Sequence, residues 1–343
     1  MCMNKKSVFI IASIVLLGAL LYILIPQPSI DLFRICEKVE GNYLWGFIDK
    51  TGRNVIPPQF LDVYQFSDGL AAVRTDSGWG FINTSGNFVI QPQLKSASWF
   101  REGLADVSFD GHTWGYVDKS GKVIIEPQFQ SAYSFHNGYA GVRVDNKVGV
   151  INKKGEFVIT PQYTRLFISD NDLIAAELDD EWGYINYSGE VVIPFQFDWA
   201  YPFSEGLAPV EINKLYGYID RSGKMIIPLQ FQAANLFSEG LAGVKKDKSL
   251  GYINRKGAWV IQQLQFYYFQ GFSEGMAAVG NDTTGFGYIS NTGKLIIAPQ
   301  YDLAEPFSNG LAFVYTYNTK TMCYIDKNGT VVRCGECSPE LLR

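Results

Sequence analysis

The chain has 343 residues, a formal net charge of -5, 15% aromatic residues and 34 glycines. That length would ordinarily mean two or three domains, although a tandem array forms one object of any length. The acidic balance excludes a basic nucleic-acid footprint, and the wealth of Val, Ile, Gly and aromatic residues indicates short strands joined by tight turns.

Residues 8–25 (VFIIASIVLLGALLYILI) form an uncharged apolar run about long enough to cross a bilayer as a helix. Pro26 and Pro28 end it, and Lys5 and Lys6 precede it. The positive-inside rule then predicts a cytoplasmic stub over 1–6, a transmembrane signal-anchor helix over 7–25, a juxtamembrane linker over 26–38, and everything beyond outside the cytoplasm, in the periplasm or at the cell surface. A cleaved signal peptide is the competing reading, but no A-x-A-like pair of small residues follows the apolar core. Cys2 lies before the run, where a lipoprotein cysteine would lie after it.

Beyond the linker the chain repeats. Trp45, Trp79, Trp114, Val148, Trp182, Tyr216, Leu250, Phe286 and Met322 align at intervals of 34 to 36 residues, and eight of the nine are followed by Gly. Two apolar positions follow, as in Phe47-Ile48 and Tyr184-Ile185, and predict a strand. Then comes a turn of the form Asp49-Lys50-Thr51-Gly52, with Gly in all nine copies. An Asx side chain accepts a backbone N–H two residues on, and Gly takes the left-handed conformation that closes a type I turn with a bulge.

A second strand follows, as in Ile124-Ile125, and Pro stops its ladder in seven copies. In Pro58-Gln59-Phe60 and Pro127-Gln128-Phe129 the Gln is placed to bond backbone that Pro leaves unpaired. A variable link leads to Phe203-Ser204-Glu205-Gly206-Leu207-Ala208 and its counterparts, which open a third strand. Each unit therefore reads as a three-stranded meander too small to stand alone, so neighbouring units must stack. Copy four (Val148, then Phe167-Ile168-Ser169-Asp170) and copy seven (Gln262-Gln263-Leu264) depart from the pattern. Copy one, with Leu32-Phe33-Arg34-Ile35, and copy nine, without Pro-Gln-aromatic, depart as end caps would. The array is expected over 39–333, with a tail over 334–343.

The pattern of Trp-Gly-Tyr-Ile-Asp-x-x-Gly, Ile-x-Pro-Gln-Phe and Phe-Ser-Glu-Gly-Leu-Ala at fixed offsets resembles the WG-repeat (KWG-repeat) family, found mostly in bacterial proteins. The resemblance covers nearly the whole chain after the apolar run. It implies an extended or ring-like β architecture and an interaction role, and no catalytic activity.

The Trp column reads as core, because Val, Leu, Phe and Met replace Trp within this same chain. Trp99, Tyr133, Trp199, Tyr201, Tyr267 and Tyr268, in the variable links, are the candidate ligand-facing aromatics, since other copies place small or polar residues there. The acidic positions Asp68, Glu102, Glu205, Glu239 and Glu274 read as turn residues, with too few converging oxygens for a cation. His112 and His136 have no partners at a catalytic or metal-binding spacing, and no nucleotide motif or H-E-x-x-H occurs. The expectation is a non-enzyme without cofactor or metal.

Cys36, Cys323, Cys334 and Cys337 lie past the apolar run and allow three disulfide pairings, with zinc at Cys334-Gly-Glu-Cys337 as the other reading. One pairing, Cys323 with Cys334 across the last hairpin, leaves Cys36 for Cys337 and joins the two ends. A closed propeller-like ring predicts that bond, whereas an open superhelix predicts local pairs or free thiols. Propeller blades have four strands and these units three, so the expected fold is all-β, an open array of stacked meanders, with the closed ring as the alternative. The functional expectation is a membrane-anchored binding scaffold presenting its repeats to envelope glycan or another protein. A passive or self-associating spacer is the alternative.

Overall fold

The structure is a computed structural model and describes residues 32–169, 171–262 and 265–341. These residues form nine antiparallel sheets, drawn in chain order from 32–60, 62–94, 96–129, 131–163, 165–197, 199–231, 233–261, 268–301 and 303–336. We call them blades 1 to 9. Blade 1 has three strands and the others four, always in sequential order across the sheet.

The fourth strand is where the sequence reading of three-stranded units fails. It is the two-residue inner strand, such as Asp62–Val63, Ser96–Ala97 or Trp199–Ala200, that falls inside the variable link. Two residues show no periodicity, so the pattern could not reveal them. In phase, too, a blade differs from a repeat: it runs from one link through the Leu-Ala strand and the Trp-Gly strand to the Pro-Gln-aromatic strand of the next repeat.

The turn chemistry is local. In blade 1, Asp49 Oδ1 accepts the Thr51 N–H at 2.8 Å, the Gly52 N–H donates to the Asp49 carbonyl at 2.9 Å, and Gly52 has φ of 83°. After the turn the outer strand bulges over the Gly of Trp-Gly, with register shifts flanking Tyr116 in blade 3. A Cβ on Gly115 would sit 2.4 Å from the Ile125 carbonyl oxygen and 2.6 Å from the Pro127 nitrogen, so only Gly admits this approach. Gln128 Nε2 then donates to the Glu126 carbonyl at 3.3 Å, closing the Pro-interrupted segment.

Blade 9 carries Cys323 at the glycine position. It pairs directly opposite Cys334 in regular register, without the bulge seen beside the glycines, and the two are disulfide-bonded.

Both faces of each sheet are apolar, and consecutive blades cover each other. Leu70, Ala72, Phe81 and Ile90 of blade 2 pack on Ala105, Val107 and Val117 of blade 3, and the same pattern recurs between later blades. Two polar sets tie neighbours together. Tyr116, Tyr184, Tyr218, Tyr252 and Tyr288 each donate through their hydroxyl to a carbonyl in the next blade's link. Ser67, Ser204, Ser238 and Ser273 each donate to the carbonyl of the next blade's link Phe.

The array closes. Phe33, Ile35 and Cys36 of blade 1 share one buried cluster with Leu311, Tyr315 and Met322 of blade 9. Cys36 is disulfide-bonded to Cys337 across a Cα separation of 5.4 Å, and Arg333 pairs with Glu37. The expected open array is therefore corrected to a nine-bladed β-propeller. An open stack would leave one apolar face of blade 1 and one of blade 9 in water; here they cover each other. The departures in copies one and nine are closing elements rather than caps.

The expected single-pass membrane arrangement is also corrected. Among the described residues no helix is long and apolar enough to cross a membrane, and the helical piece present is a single 3-10 turn, Pro339–Leu341. The apolar run over 8–25 lies outside the described residues.

Gly115→Ala should cost about 3 kcal/mol in urea unfolding because the new methyl meets backbone. Gly103→Ala, at φ of 85° with nothing within 4 Å of the added methyl, should cost about 1 kcal/mol from conformation alone. In calorimetry of the oxidised chain, Cys36→Ser with Cys337→Ser should lower stability by roughly 2–5 kcal/mol, more than the Cys323/Cys334 double change, because the loop it closes spans 301 residues rather than 11.

Candidate binding site at the inner edge of the ring

The two edges of each sheet differ in kind. The outer strand alternates exposed and buried residues and shows Val89 and Ile124 to solvent, whereas the inner strand of most blades carries a small buried residue such as Ala97, Ala200 or Ala304, with half-buried Leu166 and Phe269 in blades 5 and 8. Small residues suit the edges that converge on the axis. The variable links thus lie around the centre of the ring rather than along one side of a rod.

Two residues after the start of each inner strand stand Tyr64, Ser98, Tyr133, Phe167, Tyr201, Asn235, Gln270 and Glu305, in blades 2 to 9. Beside Ser98, Trp99 supplies the ring that blade 3 lacks in that slot. Blades 2 to 6 therefore present an aromatic arc, and blades 7 to 9 a polar one. At the polar end, desolvation raises the Glu305 carboxyl above its usual range, with Arg34 of blade 1 opposing it.

Tyr64 stacks on Trp79 at 5.2 Å between centroids and meets Trp99 edge-on at 5.8 Å. Phe167 stacks on Trp182 at 5.0 Å, and Trp182 lies 4.8 Å from Trp199 of the next blade. Trp199 in turn touches Tyr201 at 6.0 Å, and Tyr201 touches Tyr216 at 6.4 Å. The Arg165 guanidinium lies 5.5 Å from the Trp182 ring centroid and 4.9 Å from that of Trp199, while both Glu177 oxygens accept from it. Glu177 is 3% exposed, so this cation also neutralises a buried carboxylate.

The candidate aromatics thus fall in four places. Trp199 and Tyr201 belong to one cluster on blades 5 and 6, and Trp99 joins Tyr64. Tyr133 is 49% exposed between these groups. Tyr267 is 75% exposed in the link before blade 8, and Tyr268 stacks on Phe286 at 5.8 Å, so both stand beyond the aromatic arc. Tyr64, Phe167, Arg165 and Glu177 escaped the sequence reading, although Tyr64 and Phe167 occupy the same column as Tyr133 and Tyr201.

The Trp column is buried at Trp45, Val148, Trp182, Leu250 and Met322 and half-buried at Trp79, Trp114, Tyr216 and Phe286.

The acidic column does not point at a ligand. Asp68, Glu102, Glu205, Glu239 and Glu274 each accept the N–H of the turn Gly in the following blade: Gly103, Gly138, Gly240, Gly275 and Gly310. Lys153 and Lys327 bridge Glu102 and Glu274 at 3.0 and 3.1 Å. His112 and His136 lie at opposite ends of their blades, in the hairpin and in the link turn.

One buried acid is unlike these. Asp106, 4% exposed, lies on the second strand of blade 3 with the hydroxyls of Ser98 and Ser134 beside it, and burial pushes its pKa up to about 7.

With this geometry in hand, a family model described as the WG containing repeat matches residues 45–78, 79–111, 114–147, 149–182, 182–216, 216–248, 251–282 and 286–318. The chain belongs to the WG-repeat family. Its signature residues are those that shape the blade, namely the Trp-Gly strand, its turn and the Pro-Gln-aromatic strand, while the aromatic arc lies in the segments that vary between copies.

No curated protein matches this WG-repeat chain. Among solved structures, it is similar to the computationally designed Ika8 protein (12% identity, 79% of this chain and 94% of that one, TM-score 0.47). It is also similar to BamB from Moraxella catarrhalis (10%, 88% and 98%, 0.47) and to apo AztD from Citrobacter koseri (11%, 89% and 94%, 0.45). Likeness at this level carries nothing about shared activity.

Asp106 makes a pH prediction with a definite sign. Its folded pKa of about 7 exceeds the ordinary 3.8, so between those values the folded state holds a proton the unfolded chain has lost. Stability should fall by a few kcal/mol as pH rises through that window and level off above it. The turn acids Asp118 and Asp220, held low first by the Ser120 and Ser222 hydroxyls, matter only at lower pH. Urea unfolding across this range should show a shallower slope for Asp106→Asn.

Proposed function

We propose that this WG-repeat propeller is a non-catalytic binding scaffold whose recognition surface is the aromatic arc of blades 2 to 6, facing a glycan or a polypeptide. One observation carries the reading. The slot that holds Tyr64, Tyr133, Phe167 and Tyr201 holds Asn235, Gln270 and Glu305 in the same fold. Folding does not require rings there, and four of the five blades from 2 to 6 nonetheless bring one, blade 3 placing Trp99 beside the slot instead. Rings partly open to solvent gain from stacking on sugar faces or on apolar and planar side chains.

A self-associating spacer has less support. The rims carry exposed Val and Ile, but Pro57, Pro92, Pro127 and Pro161 sit in those outer strands and remove ladder donors, as edges protected from pairing do.

The test uses the full chain against glycan and peptide arrays, with hits measured by calorimetry. Trp99→Ala and Tyr201→Ala should each weaken binding about tenfold without changing Tm by more than a few degrees. Retention of full affinity by the double variant would sink the proposal.

A further inference from the structure

Blade 5 shows how the ring's inner edge holds a cation. Across its strands, Arg165 is directly opposite Glu177, which is directly opposite Trp182. The guanidinium is gripped by both carboxylate oxygens and flanked by Trp182 and by Trp199 of the next blade. Planar, delocalised and weakly hydrated, guanidinium is the group that this combination of fork and rings suits best.

Blade 6 repeats the arrangement with its cation missing. The three register positions are Trp199, Glu211 and Tyr216. An acid again sits beside an aromatic residue, but where blade 5 has Arg165, blade 6 has a ring. Among the described residues Glu211 forms no ion pair. Beside burial, Glu211 acts electrostatically on Tyr216 and Tyr201, helping to raise both phenols above their ordinary value.

The next blade has no ring to cover the place. At the position from which Trp199 covers Arg165, blade 7 has Ala233. The residue equivalent to Glu211 in that blade, Lys245, is exposed and pairs across its own sheet with Ala233 and Leu250. In blade 2 the same two register positions hold Asp62 and Arg74, an ion pair at 3.9 Å with its signs reversed. Charges at this level of the ring are thus compensated in register at blades 2 and 5, whereas Arg143, Glu211 and Lys245 face uncharged partners, and of these three Glu211 alone is an acid.

We infer that Glu211, with Trp199, Tyr201 and Tyr216 around it, receives the guanidinium of an arginine side chain on a partner polypeptide, filling in blade 6 the role that Arg165 fills in blade 5. All four residues are half-buried, so the carboxylate keeps a path to solvent while its surroundings strengthen the attraction. The inference rests on the scaffold reading and narrows it, since it makes the occupant of this end of the arc a peptide rather than a sugar.

The experiment titrates the full chain with N-acetyl-arginine amide and follows the indole N–H signal of Trp199, assigned by comparison with Trp199→Phe. The arginine probe should shift that signal saturably. N-acetyl-lysine amide should bind several-fold more weakly, and the citrulline counterpart, of the same shape without the charge, at least tenfold more weakly. Glu211→Gln should weaken the arginine probe by at least tenfold.

Equal binding of arginine and citrulline probes, or an unchanged affinity in Glu211→Gln, would overturn the inference. The ligand comparison does not use Glu211→Gln, so it decides even if that variant fails to fold. Trp99→Ala, at the far end of the arc, separates this site from the general reading: it should weaken the larger ligand and leave the arginine probe unaffected.

Discussion

Every sheet in this molecule is apolar on both faces, and no blade can cover either face with its own residues. The rest of the structure follows from that condition. A row of such sheets has two uncovered faces however long it grows, and the cost of leaving them in water scales with the apolar area exposed, about 25 cal/mol per Å². Bending the row until its ends meet removes both. Small residues on the inner strands let the sheets converge, and the bulged outer strands, which pass close over the Trp-Gly glycines, widen the rim.

The recurring hydrogen bonds between blades come in complementary sets. Tyrosine and serine hydroxyls donate from one blade to the next, and the turn carboxylates accept from the next blade's glycine. Each repeat thus carries half of an interface at one side and the complementary half at the other, a heterologous contact of the kind that makes rings when its rotation closes. Blade 5 varies the theme: Asn171 reaches the Phe203 carbonyl in place of the missing serine.

Much of this was legible in the residues. The period, the Asx-Gly turn, the role of Gln after Pro and the core identity of the Trp column all follow from side-chain chemistry acting within a few residues. What was not legible depends on distance. Ser96-Ala97 is a strand only because Val107 and Ser108 lie across from it, so two residues without periodicity gave no sign. Ring against rod turned on that missing strand.

The acidic column was seen as turn chemistry, but its acceptor role toward the next blade appears only when blades are adjacent. The arc itself was half visible. Trp99, Tyr133 and Tyr201 stood out as unusual aromatics, while Arg165 and Glu177, twelve residues apart, form no motif at all. They meet because the inner and second strands run antiparallel.

Each blade is cut from one continuous stretch of chain, and no sheet borrows a strand from the other end. The ends are joined instead by the Cys36–Cys337 bond, which makes the oxidised chain a covalent circle around the axis. A peptide bond broken in any link between blades would leave one connected molecule, with every sheet intact and both fragments still tethered. New termini placed at such a link, with the old ends fused, would give a chain of different order and the same circle.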